Sequence, residues 1–185
     1  MLLNTKESKV LEEFADDFHK RIYGRALAKK TGMNQKTVAN VLNKLEKNGI
    51  VRYKFEGKNK TYSLNKLNPH IKEIIKIIEI HRKLTFLNQN KKLLNLFDQL
   101  EQSVEGILVI FGSYASNTKT SKSDLDIFVL GKSPSVENLE KTFNIEINLI
   151  KSSKKKFNKK EQFIEEVIKN HIVLKGVDEF VNLIW

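Results

Sequence analysis

Cysteine is absent from the 185-residue chain, which excludes disulfides and thiolate metal sites and points to a reducing compartment. The opening residues, Met1-Leu2-Leu3-Asn4-Thr5-Lys6-Glu7, contain no apolar run of the kind that targets secretion. No stretch approaches the ~18 consecutive apolar residues that span a bilayer. No membrane role and a cytoplasmic location are therefore expected. Low-complexity tracts and internal repeats are missing as well. Histidine is sparse: His19, His70, His81 and His171 lie far apart without metal-ligand spacing, so each is expected to be structural or exposed. What remains is 40% hydrophobic and 30% charged, the balance of a soluble globular protein. The length suits one ordinary domain or two small ones.

Negative charge is also short. The net charge is +11, and it is uneven: residues 1–68 hold 15 lysines and arginines against 7 aspartates and glutamates, whereas residues 69–185 hold 18 against 15. An excess lying mostly in the first third suggests a polyanion partner there, or a basic surface common to a lysine-rich proteome.

The N-terminal third reads as three helices and a hairpin. Val10, Leu11, Phe14 and Phe18 mark one face of a helix from Thr5 to Phe18. A short helix over Arg25–Lys30 ends at Gly32. Asn34 then caps a helix from Gln35 to Asn48, whose Val38, Val41, Leu42 and Leu45 give one buried stripe, and Gly49 stops it. The period next changes to that of a strand. Residues 50–55 alternate, residues 56–60 form a turn, and Thr61–Leu64 return.

Asn68-Pro69 opens a new helix. Ile71, Ile74, Ile75 and Ile78 form its apolar stripe, and helical character continues to about Leu100 with a break near Asn88–Asn90. This segment is a connector and a candidate surface for a homodimer. From Gly106 the pattern is mixed. Strands are expected at Ile107–Phe111, Asp126–Leu130, Ile145–Ile150 and Ile172–Leu174, and helices at Val136–Phe143, Lys155–Asn170 and Val177–Leu183.

One segment carries chemistry. Gly112-Ser113 follows a buried strand and precedes a short helix, where a glycine lets the backbone approach a ligand and helix-start amides suit a phosphate. Asp124 and Asp126 sit two apart at a strand entry, so their side chains share a face. Close carboxylates repel, and a divalent cation with a preference for oxygen, Mg²⁺ or Mn²⁺, removes that penalty. On its own, Asp-x-Asp also fits an exposed strand entry with Ser123 or Asp124 capping a turn. Ten residues separate Ser113 from Asp124.

Strand, Gly-Ser, ten residues, Asp-x-Asp, apolar strand resembles the DNA polymerase β-like nucleotidyltransferase superfamily, most of all its minimal members, over about Leu93 to Trp185. The resemblance implies a two-metal mechanism. Asp124 and Asp126 would hold Mg²⁺ or Mn²⁺ against the triphosphate of an NTP, ATP foremost, and Gly112, Ser113 and Tyr114 would contact the nucleotide. The family adds a third carboxylate from a later strand. Two positions compete for it, Glu146 and Asn148, which share a strand face. Glu146 there completes a catalytic, metal-binding triad of Asp124, Asp126 and Glu146, whereas Asn148 there leaves one metal site weakened. Many relatives also carry an arginine close after Gly-Ser. This chain has Tyr114, Ser116 and Asn117, and Lys119 and Lys122 are either substitutes or loop lysines. Tyr114 either stacks on a base or packs on the sheet.

Residues 5–66 resemble the winged helix-turn-helix domains of small prokaryotic regulators. That likeness implies binding to double-stranded DNA, with Gln35, Lys36, Thr37, Asn40 and Lys44 reaching bases or phosphates. Arg52, Lys54, Lys58 and Lys60 on the hairpin would hold the backbone. The alternative is a winged helix used for protein contact. The expected whole is an α/β (α+β) two-domain protein: a DNA-binding winged helix over residues 1–67, a helical linker over 68–92 and a nucleotidyltransferase-like domain over 93–185. The expected function is transfer of NMP from an NTP to a hydroxyl of a protein or small molecule, coupled to DNA binding. Two alternatives stand beside it: a transcriptional regulator that only binds or senses a nucleotide, and an AMP transferase of the antitoxin kind.

Overall fold

A computed structural model of the chain describes residues 4–120 and 122–185. Met1, Leu2 and Leu3 of the expected first domain, and Ser121 of the stretch between Ser113 and Asp124, lie outside the described residues. The chain is α+β and divides into two compact units, Met1–Ile78 and Glu79–Trp185.

The first unit runs helix α1 (Thr5–Glu12), strand β1 (Ile22–Tyr23), helices α2 (Gly24–Thr31) and α3 (Gln35–Lys47), then strands β2 (Val51–Glu56) and β3 (Asn59–Leu64). The strands pair antiparallel in the order β1-β3-β2. This is the element order of a winged helix. Local chemistry sets its boundaries. Asn4 and Glu7 form a reciprocal capping box on α1. The Asn34 side chain accepts the Thr37 amide at 2.8 Å, so α3 starts at the cap expected for it, and Gly32 takes the left-handed conformation that closes α2 (φ 67°).

α1 is shorter than its apolar stripe predicts, ending at Glu12 rather than Phe18. Asp16 and Asp17 draw the chain into turns: the Asp17 side chain accepts the His19 amide at 2.7 Å, and Asp16 holds Lys20 at 2.7 Å. Short polar side chains compete with the helix for backbone partners in this way. Phe14 and Phe18 are buried nonetheless. β1 has only two residues, too few for any periodicity, and exists through its pairing with β3.

Helix α4 (Ile71–Gln89) follows Asn68, whose side chain accepts the His70 amide at 2.9 Å. The expected break falls at Asn90, whose amide donates to the Phe86 carbonyl at 2.8 Å. The second unit then runs α5 (Leu94–Ser103), β4 (Glu105–Ile110), α6 (Gly112–Ala115), β5 (Leu125–Lys132), α7 (Glu137–Phe143), β6 (Ile147–Ser152), α8 (Gln162–Lys169), β7 (Ile172–Lys175) and α9 (Val177–Ile184). The sheet order is β6-β5-β4-β7, with β5 and β6 parallel and the other pairs antiparallel. β4 and β5 are buried on both faces. Leu108, Ile110, Ile127 and Val129 pack with Leu96, Phe97 and Leu100, while Ile107, Val109, Phe128 and Leu130 pack with Ile164, Val167 and Phe180. Two covered faces explain why both strands read as unbroken apolar runs.

The helix expected over Lys155–Asn170 is confined to Gln162–Lys169. Lys154, Lys155, Lys156, Lys159 and Lys160 would repel one another along helix turns, and the Asn158 side chain instead accepts the Lys160 amide at 3.1 Å. The third strand begins at Ile147, two residues later than its pattern predicts.

His171 is fully buried and structural. One ring nitrogen lies 2.6 Å from the Ile168 carbonyl, and the other is 3.3 Å from the Glu79 carboxylate and 3.1 Å from Arg82. Arg82 also donates to Glu79 at 2.9 Å and to the His171 carbonyl at 2.6 Å. Burial alone would raise the Glu79 carboxyl. The charges of His171 and Arg82 outweigh it and hold the group below its ordinary value.

Candidate functional site

The strand pairing brings the two halves of the motif together. β4 runs antiparallel to β5 with Ile110 opposite Ile127. One residue further, the Phe111 amide donates to the Asp126 carbonyl at 3.1 Å. Gly112 therefore turns off the end of β4 directly beside Asp126. The turn has φ 65°, and a Cβ at Gly112 would lie 2.3 Å from Asp126 Oδ2 and 3.1 Å from its Cγ. Only glycine tolerates both the left-handed backbone and the carboxylate against it. Hydrogen bonds close the turn beyond: Ser113 O accepts the Thr118 amide at 3.0 Å, and Gly112 O accepts the Ser116 amide and hydroxyl at 3.0 Å each.

β6 supplies the third position. In the parallel register Asp126 stands beside Asn148, and the Asn148 side-chain amide donates to Asp126 Oδ1 at 3.0 Å. An ionised carboxylate only accepts, so the asparagine must turn its NH₂ toward Asp126. Glu146 lies just before β6, where its carbonyl accepts the Leu125 amide at 2.8 Å. Its exposed side chain lines a small recess with Asp124, Tyr114, Lys122, Phe143 and Ile145. Asp126 is thus matched with an amide, while Glu146 falls toward Asp124. Among the described residues no three His, Cys, Asp or Glu side chains gather in a group that could hold a metal ion.

Tyr114 is buried, and the recess reaches its edge. Burial first, and the charge of Asp124 second, push its phenol above the ordinary value. Lys119 lies 4.3 Å over the Tyr114 ring and contacts the Asn90 side-chain oxygen. Burial lowers its ammonium below the ordinary value. Lys122 is exposed at the recess.

In the first unit, Gln35, Lys36 and Asn40 on α3 and Arg52, Lys54 and Lys58 on the wing are exposed. Thr37 is half-buried and its amide is held by Asn34. Lys44 is exposed and pairs with the buried Glu7 carboxylate at 2.5 Å, and Lys60 lies 3.9 Å over the Tyr53 ring. Tyr23, Arg25, Lys29 and Asn59, which no sequence pattern singled out as a site, line a cleft with Gln35 and Lys60.

Residues 90–178 match the model of the nucleotidyltransferase domain family. That span lies in the unit that holds Gly112-Ser113 and Asp124-x-Asp126. Domains of this family generally use an NTP and divalent metals. Among solved structures, the chain is similar to the homodimeric winged helix-turn-helix DNA-binding domain of a possible ArsR-family transcriptional regulator from Mycobacterium bovis. That similarity is 22% identity over 42% of this chain and 67% of that one, with a TM-score of 0.36. It is also similar to a toxin–antitoxin structure with AMP-PNP, at 19% identity over 51% of this chain and 78% of that one, with a TM-score of 0.38. A transcriptional regulator shows 18% identity over 54% of this chain and 78% of its own, with a TM-score of 0.38. No curated protein matches the chain.

Proposed function

We propose that the protein binds duplex DNA through its N-terminal unit and transfers a nucleotidyl group from an NTP, ATP foremost, to a hydroxyl of a protein or small molecule in its C-terminal unit. The observation that carries the catalytic part is the packing of Gly112 against Asp126, since a Cβ there would lie 2.3 Å from the carboxylate. That contact sets the turn against one member of the carboxylate pair, Asp126. The donor set fits a hard divalent ion: Mg²⁺ is commonly held by one or two carboxylates, the rest of its shell being water and substrate phosphate. Asp124 and Asp126 would hold Mg²⁺ or Mn²⁺, which supplies charge neutralisation at the phosphates. Gly112 and Ser113 would position the triphosphate. The exposed Gln35, Lys36, Asn40, Arg52, Lys54 and Lys58 support the DNA part, and the protein would work in the cytoplasm.

The 3.0 Å hydrogen bond from Asn148 to Asp126 favours a second reading, in which the C-terminal unit binds the nucleotide without transferring it and the nucleotide sets DNA affinity. Incubation with labelled NTPs, Mg²⁺ or Mn²⁺ and cell lysate separates the two. Labelled product that is lost in the Asp124→Ala, Asp126→Ala double variant supports transfer. Metal-dependent NTP binding with no product supports sensing. Product of equal yield in the double variant removes the catalytic claim.

A further inference from the structure

The first unit contains a cleft of about 600 Å³ between the start of α2, the start of α3 and the strand β3. Its lining includes Arg25, Lys29 and Lys60 and no carboxylate. Arg25 and Lys29 are four apart on α2 and so project from one helix face. Their neighbours are neutralised within the unit: Lys30 pairs with Glu13 at 3.1 Å and Arg21 with Glu56 at 3.8 Å. Arg25 and Lys29, with no carboxylate in the cleft walls, select an anion, and Lys60 stands beside them with its ammonium 3.9 Å over the Tyr53 ring.

The cleft is too large for a bare phosphate and lies within the size range of small-molecule sites. Its other walls are aromatic and amide. The Tyr23 hydroxyl is already committed to Glu56 at 2.7 Å, which fixes the ring and leaves its apolar surface to the cleft. Tyr62 is buried and supplies a second ring. Gln35 adds an amide that can donate and accept at the edge of a base. Flat rings, an amide and a cluster of cations match a base joined to a phosphate.

We propose that this cleft, with Arg25, Lys29 and Lys60 at the phosphate and Tyr23, Tyr62 and Gln35 at the base, is a binding site for a nucleoside phosphate. The site is separate from the carboxylate pair of the C-terminal unit. It shares Gln35 and Lys60 with the duplex-binding reading, whereas Lys36 and Asn40 lie outside its walls. The nucleotide has two sources, a free mononucleotide or one unit of a nucleic-acid strand.

The test uses the isotope-labelled full chain in EDTA, which silences metal-dependent binding at the other unit. AMP, adenosine, inorganic phosphate and a short single-stranded DNA are titrated separately while amide resonances are followed. We expect saturable shifts at Gly24–Ala26 and at the Gln35 side chain with AMP, and much weaker ones with adenosine or phosphate. If only the DNA strand gives them, the strand is the source and the site still stands. The Arg25→Gln, Lys29→Gln variant should bind roughly 10-fold or more weakly with its spectrum otherwise retained. Lys60→Gln alone serves the same comparison if the double variant does not fold. Shifts of equal affinity with phosphate and AMP, no cleft shifts with AMP or DNA, or wild-type affinity in the variant would each overturn the proposal. Loss of duplex binding in a Lys36→Ala variant would leave the result untouched, so failure of the DNA reading is distinguishable from failure of this one.

Discussion

Replacing Asn148 by aspartate asks whether the C-terminal unit is one carboxylate short of a metal centre. The wild-type amide donates to Asp126 Oδ1 at 3.0 Å. Asn148→Asp removes that donor, at about 1 kcal/mol for a hydrogen bond, and sets a second carboxylate against Asp126. Two like charges about 4 Å apart repel by ~1 kcal/mol in water and ~4 kcal/mol at the effective dielectric of a protein surface. Asn148 is exposed and Asp126 half-buried, so the repulsion should fall toward the lower figure. The total is then about 2 kcal/mol, and at roughly 2–4 °C per kcal/mol for a chain of this size the melting temperature in EDTA should fall by several degrees. A divalent ion should reverse the sign, because it binds the folded variant's paired carboxylates and stabilises by mass action. The assay is thermal unfolding of wild type and variant with EDTA and with rising Mn²⁺, followed by transfer with labelled ATP. The variant should melt lower in EDTA, gain more from Mn²⁺ than wild type does, and give the larger yield of product. A variant with an unchanged EDTA melting point and no added response to Mn²⁺ would refute the placement of Asn148 at the third metal-ligand position.

Gly112→Ala should destabilise the C-terminal unit by about 1–3 kcal/mol through its left-handed backbone and the clash with Asp126, and should abolish NTP binding measured by calorimetry. Glu79→Ala leaves the half-buried Arg82 and the buried His171 without their carboxylate and should cost about 3–5 kcal/mol in denaturant unfolding. Because the folded-state value of Glu79 is depressed, its contribution is full above the ordinary value of 4.5 and is lost as the pH falls below that toward the folded value. A Glu79→Gln variant should therefore show a flatter acid limb than wild type. Lys36→Ala and Lys54→Ala should each weaken duplex binding across sequences and lower the slope of log affinity against log salt by about 1. An unchanged slope removes that lysine from the phosphate contacts.

How far the sequence reached depended on whether the determining interaction was local. Asn34 and Gly32 act on their own neighbours, so both ends of the α2–α3 turn were predicted. The β4 and β5 strands were legible because burial on two faces leaves an uninterrupted apolar run. α1 was overextended because its stripe continues through Phe14 and Phe18, which are buried from a turn just as they would be from a helix. Asp16 and Asp17 outvoted the periodicity. The expected helix before α8 extends too far into the lysine-rich stretch, since helical periodicity does not register like-charge repulsion. At the candidate site, Gly112-Ser113 and Asp124-x-Asp126 stand out in the sequence through the resemblance of their pattern to the nucleotidyltransferases. The choice between Glu146 and Asn148 was not legible, because alternation puts both on one face and only the β5–β6 register tells which stands beside Asp126. The cleft cations were hidden for a similar reason. Arg25 and Lys29 have helical spacing, but Lys60 joins them only through the hairpin pairing.

The geometry at Gly112 links two motifs that the sequence presents as separate. With Asp126 Oδ2 pressed against the glycine, any side chain at 112 displaces the carboxylate, and any movement of Asp126 opens space under the turn. Under the proposed function the phosphate side and the metal side would share this one contact, and substitutions at 112 and 126 should be strongly non-additive. Asn148 belongs to the same unit, since it holds the other oxygen of Asp126. One carboxylate oxygen is thus packed on a backbone turn and the other is bonded to an amide, and both restraints fix the rotamer of Asp126. An aspartate at 148 would bring a further ligand and remove one of those restraints. Under the proposed metal role, the residue that would limit the metal complement is the same one that holds Asp126 in place.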